Sequence, residues 1–191
     1  MTLLAFGDSL TYGHGLADCC TQDLRAGPQH SRLAWPTLLA DRLAMPYRNL
    51  ASPGASNQRI LYHLRHSDAQ AGDLVIIMWS FIERTFAPRA DRLLDLGPWL
   101  DDMRWYYDRY DHAALIYTAG LCMEHAALWC KQRGARLLQI SGHPYECAEL
   151  DDMMLLHFDA YHRDKAVDGL HPGPQSHELL ASVLTNLVNS P

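Results

Sequence analysis

Asp73-Leu74-Val75-Ile76-Ile77-Met78-Trp79 is the stretch from which the fold is read. After its opening Asp it is an unbroken apolar run, rich in β-branched residues, with no polar alternation. That is the pattern of a strand covered on both faces of its sheet. Strands of this kind belong to parallel sheets, whose neighbours need crossover connections, usually helical. The flanks supply both. Thr2 to Phe6 (TLLAF) is a second short apolar strand, ended by the turn Gly7-Asp8-Ser9. Trp35 to Leu43 places Trp35, Leu38, Leu39 and Leu43 at helical spacing, with Pro36 tolerated in the first turn. Tyr47 to Ala51 reads as another short strand, and Asn57 to Arg65 as a helix with Ile60, Leu61 and Leu64 on one face.

Downstream of the central strand, Ser80 to Leu96 has no clean period and is expected to be irregular, with Pro88, Gly97 and Pro98 punctuating the region. Two helices are expected next, Trp99 to Tyr110 and Ala113 to Arg133, the second stopped by Gly134. Ala135 to Ser141 reads as a strand and Gln175 to Val188 as a closing amphipathic helix. Strands alternating with helices predict an α/β chain with a parallel sheet and helices on both faces. In such sheets ligands gather outside the carboxyl ends of the strands. That rim would collect Gly7-Asp8-Ser9, Gly54, the Ser80 segment and the loop after Ser141.

Composition narrows the function classes. The 191 residues, 48% of them hydrophobic, suffice for one domain with a sizeable core, taken here as 1–191. Sixteen Lys and Arg against 22 Asp and Glu leave a formal net charge of −6. A net negative field repels nucleic acid and anionic membranes, so neither is an expected partner. Apolar runs such as Leu74 to Trp79 are far shorter than the roughly 20 residues that span a bilayer, and no basic-then-apolar leader opens the chain. No membrane insertion is expected. The five cysteines (Cys19, Cys20, Cys122, Cys130, Cys147) are odd in number and lack CxxC spacing, which argues against a disulfide scaffold or zinc ribbon. Free thiols in a reducing, cytoplasmic setting are expected, a reactive Cys19 or Cys20 being the sharper alternative.

Two short segments carry chemistry. In Gly7-Asp8-Ser9-Leu10 a serine leaves the first strand on a turn, where a hydroxyl can be presented beside backbone amides, as a nucleophile and half an oxyanion hole require. In Asp168-Gly169-Leu170-His171, followed by Pro172, an Asp three residues before a His can orient the imidazole while its far nitrogen faces the serine. Each residue also has a plainer reading. Ser9 can be a helix cap, Asp168 a turn former, His171 a surface loop histidine, and Gly54 the relief of a tight turn.

Together the two segments resemble the GDSL, or SGNH, hydrolase family, and the resemblance runs from Met1 to the last helix. Asn49-Leu50-Ala51-Ser52-Pro53-Gly54 is similar to that family's second block, whose Gly donates an oxyanion amide. The resemblance implies a three-layer α/β/α sandwich of about five parallel strands, flavodoxin-like. It also implies an esterase or acyl hydrolase with Ser9 as nucleophile, His171 as base and Asp168 as its orienter. Backbone amides of Ser9 and Gly54 would bind the oxyanion, with no metal or organic cofactor.

The third block departs from the family, which has Gly-X-Asn-Asp after the third strand and uses the Asn side chain as an oxyanion donor. Here the segment is Trp79-Ser80-Phe81-Ile82-Glu83-Arg84, and no ungapped register supplies the Asn. Ser80 and Asn57 are the candidate replacements. Glu83 and Arg84 read as a surface or loop-anchoring pair, or as substrate contacts. His63 and His66 lie one helical turn apart without a carboxylate at ligand spacing, so no metal site is expected. The aromatic residues Trp99, Trp105, Tyr106, Tyr107 and Tyr110 read as core, interface or lid. A small-molecule ester is the expected substrate. The alternatives are an acyltransferase using the same acyl-enzyme, and a binding module weakened in catalysis. Oligomeric state stays open, a homo-oligomer included.

Overall fold

The computed structural model describes residues 1–88, 93–97, 111–145 and 147–190. Four strands, β1 (Leu3–Phe6), β2 (Tyr47–Asn49), β3 (Leu74–Trp79) and β6 (Arg136–Ser141), form a wholly parallel sheet in the order β2-β1-β3-β6. β3 is central and buried at every residue, as its unbroken apolar run requires. Because successive side chains point to opposite faces, each inner strand feeds two cores. Leu3, Ala5, Leu74, Ile76, Met78, Leu138 and Ile140 pack with Trp35 and Leu39 of helix α2 (Trp35–Leu43) and with Leu180 and Leu184 of the final helix, α6 (Pro174–Asn189). Leu4, Phe6, Val75, Ile77 and Trp79 pack with Ile60 and Leu64 of α3 (Asn57–Arg65) and with Leu115, Ala119, Cys122 and Met123 of α4 (His112–Arg133). Each large apolar side chain so buried contributes roughly 1.5–3 kcal/mol. The result is the three-layer α/β/α sandwich.

The helix bounds follow local chemistry. Ser56 caps α3 through the Arg59 N–H, Asp111 caps α4 through the Ala113 N–H, and Gly134 ends α4 in the left-handed conformation. By length and composition α4 is apolar enough to cross a membrane. The expectation of short apolar runs overlooked it, because single polar residues interrupt the helix. Its Leu115, Ala119, Cys122, Met123, Ala126 and Cys130 nevertheless form one buried stripe against the sheet and α3.

The sheet has four strands among the described residues where about five are expected. Beside β6 a short run takes up the edge, with Leu155 N–H donating to Gln139 O (2.9 Å), Ser141 N–H to Leu156 O (3.1 Å) and one parallel bridge between Ser141 and His157. It is too brief to form a strand. The region expected to be irregular instead holds an antiparallel hairpin, β4 (Thr85–Pro88) and β5 (Leu93–Leu96), tied to α3 by an Arg59–Asp95 ion pair. Strands of four residues are too short to show a period. Between the sheet and α6 lie a one-turn helix, α5 (Ala148–Asp151), and a 3₁₀ turn over Phe158–Tyr161. The expected helix over Trp99 to Tyr110, with its aromatic cluster, lies outside the described residues.

Candidate active site

At the carboxyl end of β1 the chain turns sharply into a single helical turn, α1 (Ser9–Tyr12). Gly7 has to be glycine there, since a Cβ would fall 2.2 Å from Thr11 Oγ1. The Asp8 carboxylate caps the turn by accepting from Leu10 N–H at 2.9 Å. Ser9 is thereby held at the start of α1, with its hydroxyl on the sheet's rim. Asn49, at the end of β2, braces the same turn, its Nδ2 donating to Thr11 O at 2.8 Å.

The loop before α6 presents the other two residues. Ala166 N–H donates to His171 O (2.9 Å), Gly173 N–H donates to Asp164 O (2.8 Å), and Gly169 takes a left-handed φ of 71° at the bend. Asp168 Oδ2 lies 2.6 Å from His171 Nδ1, and His171 Nε2 lies 3.0 Å from Ser9 Oγ. Asp168 Oδ1 accepts from the Leu170 and His171 amides at 3.0 and 3.1 Å. Burial works against the Asp168 carboxylate. The Leu170 amide, the His171 ring and the His171 amide outweigh it and hold the acid below its ordinary range. An ionised carboxylate at Nδ1 fixes the tautomer that leaves Nε2 to accept the serine proton.

Ser80 and Asn57 are both brought to this rim, and the hydrogen bonds they make are to other partners. Asn57 is locked onto the backbone of Ser80, accepting from its N–H at 2.7 Å and donating to its carbonyl at 3.2 Å. The Ser80 hydroxyl donates to Asp8 Oδ2 at 2.7 Å. Arg84 Nη1 also reaches Asp8 Oδ2 at 2.7 Å and Ser80 Oγ at 2.8 Å. Arg84 therefore anchors a loop, as one sequence reading has it, with Asp8 as a partner. Tyr145 adds a fifth member to this network. Its phenol, pushed well above the ordinary range by burial, stays protonated and donates to Ser80 O at 3.0 Å. Gly54 sits in a left-handed turn, φ 77°, with nothing near the position of a Cβ.

A cleft of about 530 Å³ opens over Ser9 and His171. Arg84 and Phe81 line one side, with His143 and Asp159 also on the wall. His143 stacks on Phe81 with ring centroids 3.8 Å apart, and the Arg84 guanidinium lies 4.8 Å from the same ring's centroid. Burial lowers the His143 pKa, against the pull of nearby Asp159 and Asp8. The arrangement offers a serine hydroxyl, an adjacent base and a fixed carboxylate at the floor of a mixed polar and apolar cleft. That is the equipment of acyl transfer to serine.

Phe81, His143 and His14 escaped the sequence reading of the site, and Arg84 entered it only in a pair with Glu83, as a loop anchor or a substrate contact. His14 belongs here because its ring packs on His171 at 4.5 Å between centroids. No spacing signal marks these residues, since each meets the site through the tertiary fold. Other candidates separate from it. His63 Nδ1 lies 3.2 Å from Leu50 O and His66 Nδ1 2.8 Å from Tyr62 O, and no group of three or more metal-ligating side chains occurs among the described residues. All five cysteines are free. Cys19 is raised by burial and Cys122 and Cys130 are pushed up to about 11, the reverse of thiol activation.

Residues 3–80 match the GDSL-like lipase/acylhydrolase family. No curated protein matches the chain in sequence. In structure it is similar to a carbohydrate esterase whose active site is described as having divergent catalytic and non-catalytic binding functions. The identity is 16% and the TM-score 0.66, over all of this chain and 68% of the other. An acetyl xylan esterase from Butyrivibrio proteoclasticus aligns at 13% identity and TM-score 0.63, over 98% of this chain and 63% of its own length. An extracellular lipase from Streptomyces rimosus aligns at 14% and 0.57, over 97% and 99%. At these identities the likeness shows the shared fold.

Proposed function

Because the chain belongs to the GDSL/SGNH hydrolase family, we propose that it hydrolyses an ester through an acyl-serine intermediate. Ser9 Oγ attacks the carbonyl carbon while its proton passes to His171 Nε2. The leaving alcohol takes that proton as the C–O bond breaks. Water, deprotonated by the same nitrogen, then attacks the acyl-enzyme and regenerates Ser9. Asp168 holds the imidazole tautomer throughout, and the Ser9 and Gly54 amides are the proposed oxyanion donors.

The observation that carries this reading is the continuous hydrogen-bond chain from Asp168 through His171 to Ser9, at 2.6 and 3.0 Å, on the floor of an open cleft. For the substrate we propose a short acyl group on a polar carrier of the carbohydrate class. A cleft of about 530 Å³ whose lining includes Arg84, His143, Asp159 and His162 suits such a carrier better than a long alkyl chain, and two of the structural neighbours are carbohydrate esterases. No resident cofactor and a cytoplasmic setting belong to the same proposal. The test is hydrolysis of p-nitrophenyl acetate and of acetylated oligosaccharide by wild type and by Ser9→Ala. Turnover by the wild type that the variant lacks supports the reading. Equal rates would overturn it.

A further inference from the structure

We propose that His14 is a positioning residue for the base: tethered to the Leu24 carbonyl and packed on the face of His171, it sets the plane in which that ring meets Ser9. The inference deepens the esterase reading and rests on it.

The need for such a group is geometric. The Asp168 bond at Nδ1 holds the His171 ring at one edge, and because the terminal torsion of a histidine is broad, that single edge contact limits the roll about Cβ–Cγ without abolishing it. Rolling would carry Nε2 out of line with Ser9 Oγ. A flat group against the ring face removes that freedom, and His14 is so placed, with centroids 4.5 Å apart and planes 37° from parallel.

The local sequence builds His14 into this position. Gly13 ends α1 in the left-handed conformation, φ 81°, and the amides of Gly13 and His14 both donate to Ser9 O, at 2.9 and 3.0 Å. The chain therefore turns back beside the nucleophile. His14 Nε2 lies 3.0 Å from Leu24 O. A carbonyl only accepts, so Nε2 carries the hydrogen, and the ring is tethered at its outer end. Leu24 presents that carbonyl from φ 60°, in the left-handed region that non-glycine residues seldom adopt. Thr21 closes the turn around it, accepting from Arg25 N–H at its hydroxyl (3.0 Å) and from Leu24 N–H at its carbonyl (2.9 Å).

The next residue makes the matching contact with the carboxylate. Gly15 has φ 89°, and a Cβ there would lie 2.6 Å from Asp168 Oδ2, while its carbonyl accepts from Val167 N–H at 3.0 Å. Two consecutive residues thus touch the base and its orienting acid. The loop that leaves the nucleophile braces the loop that carries the other two groups.

The experiment compares His14→Ala and His14→Phe with wild type, using p-nitrophenyl acetate turnover and the line widths of the His171 ring signals in the NMR spectrum. Misplacing a reacting group by about 1 Å costs on the order of 10²-fold. His14→Ala should therefore lower kcat about 10- to 100-fold with KM within about twofold, and the His171 signals should broaden. His14→Phe, which restores a flat ring, should recover most of the loss and keeps the test alive if the alanine variant does not fold. Wild-type kcat in His14→Ala, or no recovery in a folded His14→Phe, would overturn the proposal. If the wild type itself lacks Ser9-dependent turnover, the esterase reading fails, and the ring signals still decide the brace. Line widths unchanged from wild type in His14→Ala would then overturn it.

Discussion

Arg84 Nη1 lies 2.7 Å from the carboxylate of Asp8, the residue immediately before Ser9, and both side chains are largely buried. The segment Trp79 to Arg84, which stands where the family has its third block, is thereby clamped by charge to the turn that carries Ser9. A buried pair of this kind adds little net stability compared with an apolar replacement of both partners, but removing one partner strands the other.

Arg84→Met should therefore destabilise the protein by about 3–5 kcal/mol, through the uncompensated Asp8 carboxylate. Denaturant unfolding measures it. Pairing the change with Asp8→Asn should return much of the loss, because the stranded charge is gone. A single variant as stable as wild type would show that the pair does not hold the turn.

Ser80 and Asn57 have roles the structure makes separable. The Ser80 hydroxyl is bound to Asp8, so Ser80→Ala should lower turnover by less than the roughly 10²-fold that losing an oxyanion donor costs. Asn57→Ala strips partners from the buried amide and carbonyl of Ser80 and should cost about 1–3 kcal/mol of stability. A 10²-fold fall in kcat for Ser80→Ala, with stability intact, would restore it as a direct donor.

Much of this was legible in the sequence because the deciding signals are local. The apolar run of β3 and the bounds of α2 and α3 follow from residues near one another in the chain, as do the turns at Ser9 and Asp168. The sequence also offered Ser9, Asp168 and His171 as a set, and the fold brings them within hydrogen-bond reach. What it hid depends on distant partners. Asn57 points at Ser80 and Arg84 at Asp8 only after α3 and β3 have packed, and no spacing encodes that. The hairpin after Arg84 was hidden for a different reason, since two four-residue strands carry too few residues for a period to emerge.

His177 gives the fold a pH dependence. Burial, opposed by the Asp164 carboxylate, pushes its pKa down to about 3, and its Nδ1 accepts from the Trp35 amide at 3.2 Å. The folded value lies below the unfolded value of about 6.5, so below that pH the unfolded chain binds a proton that the folded one refuses. This contribution to stability is intact above about pH 6.5 and is lost as the pH falls towards 3, by roughly 1.4 kcal/mol per unit. Unfolding followed from pH 7 to 5 should show a loss of about 2 kcal/mol that His177→Gln lessens. Equal acid sensitivity in the two proteins would remove His177 as its source.

The central claim is that Ser9 is an activated nucleophile, and its most direct measurement is covalent labelling by a fluorophosphonate, which needs no knowledge of the substrate. Peptide mass spectrometry should find one phosphonyl adduct, on the peptide containing Ser9, with none in Ser9→Ala and labelling slowed by at least about 10²-fold in His171→Ala. A folded wild-type protein that takes no label at Ser9, or a Ser9→Ala variant that labels as fast, would contradict the account.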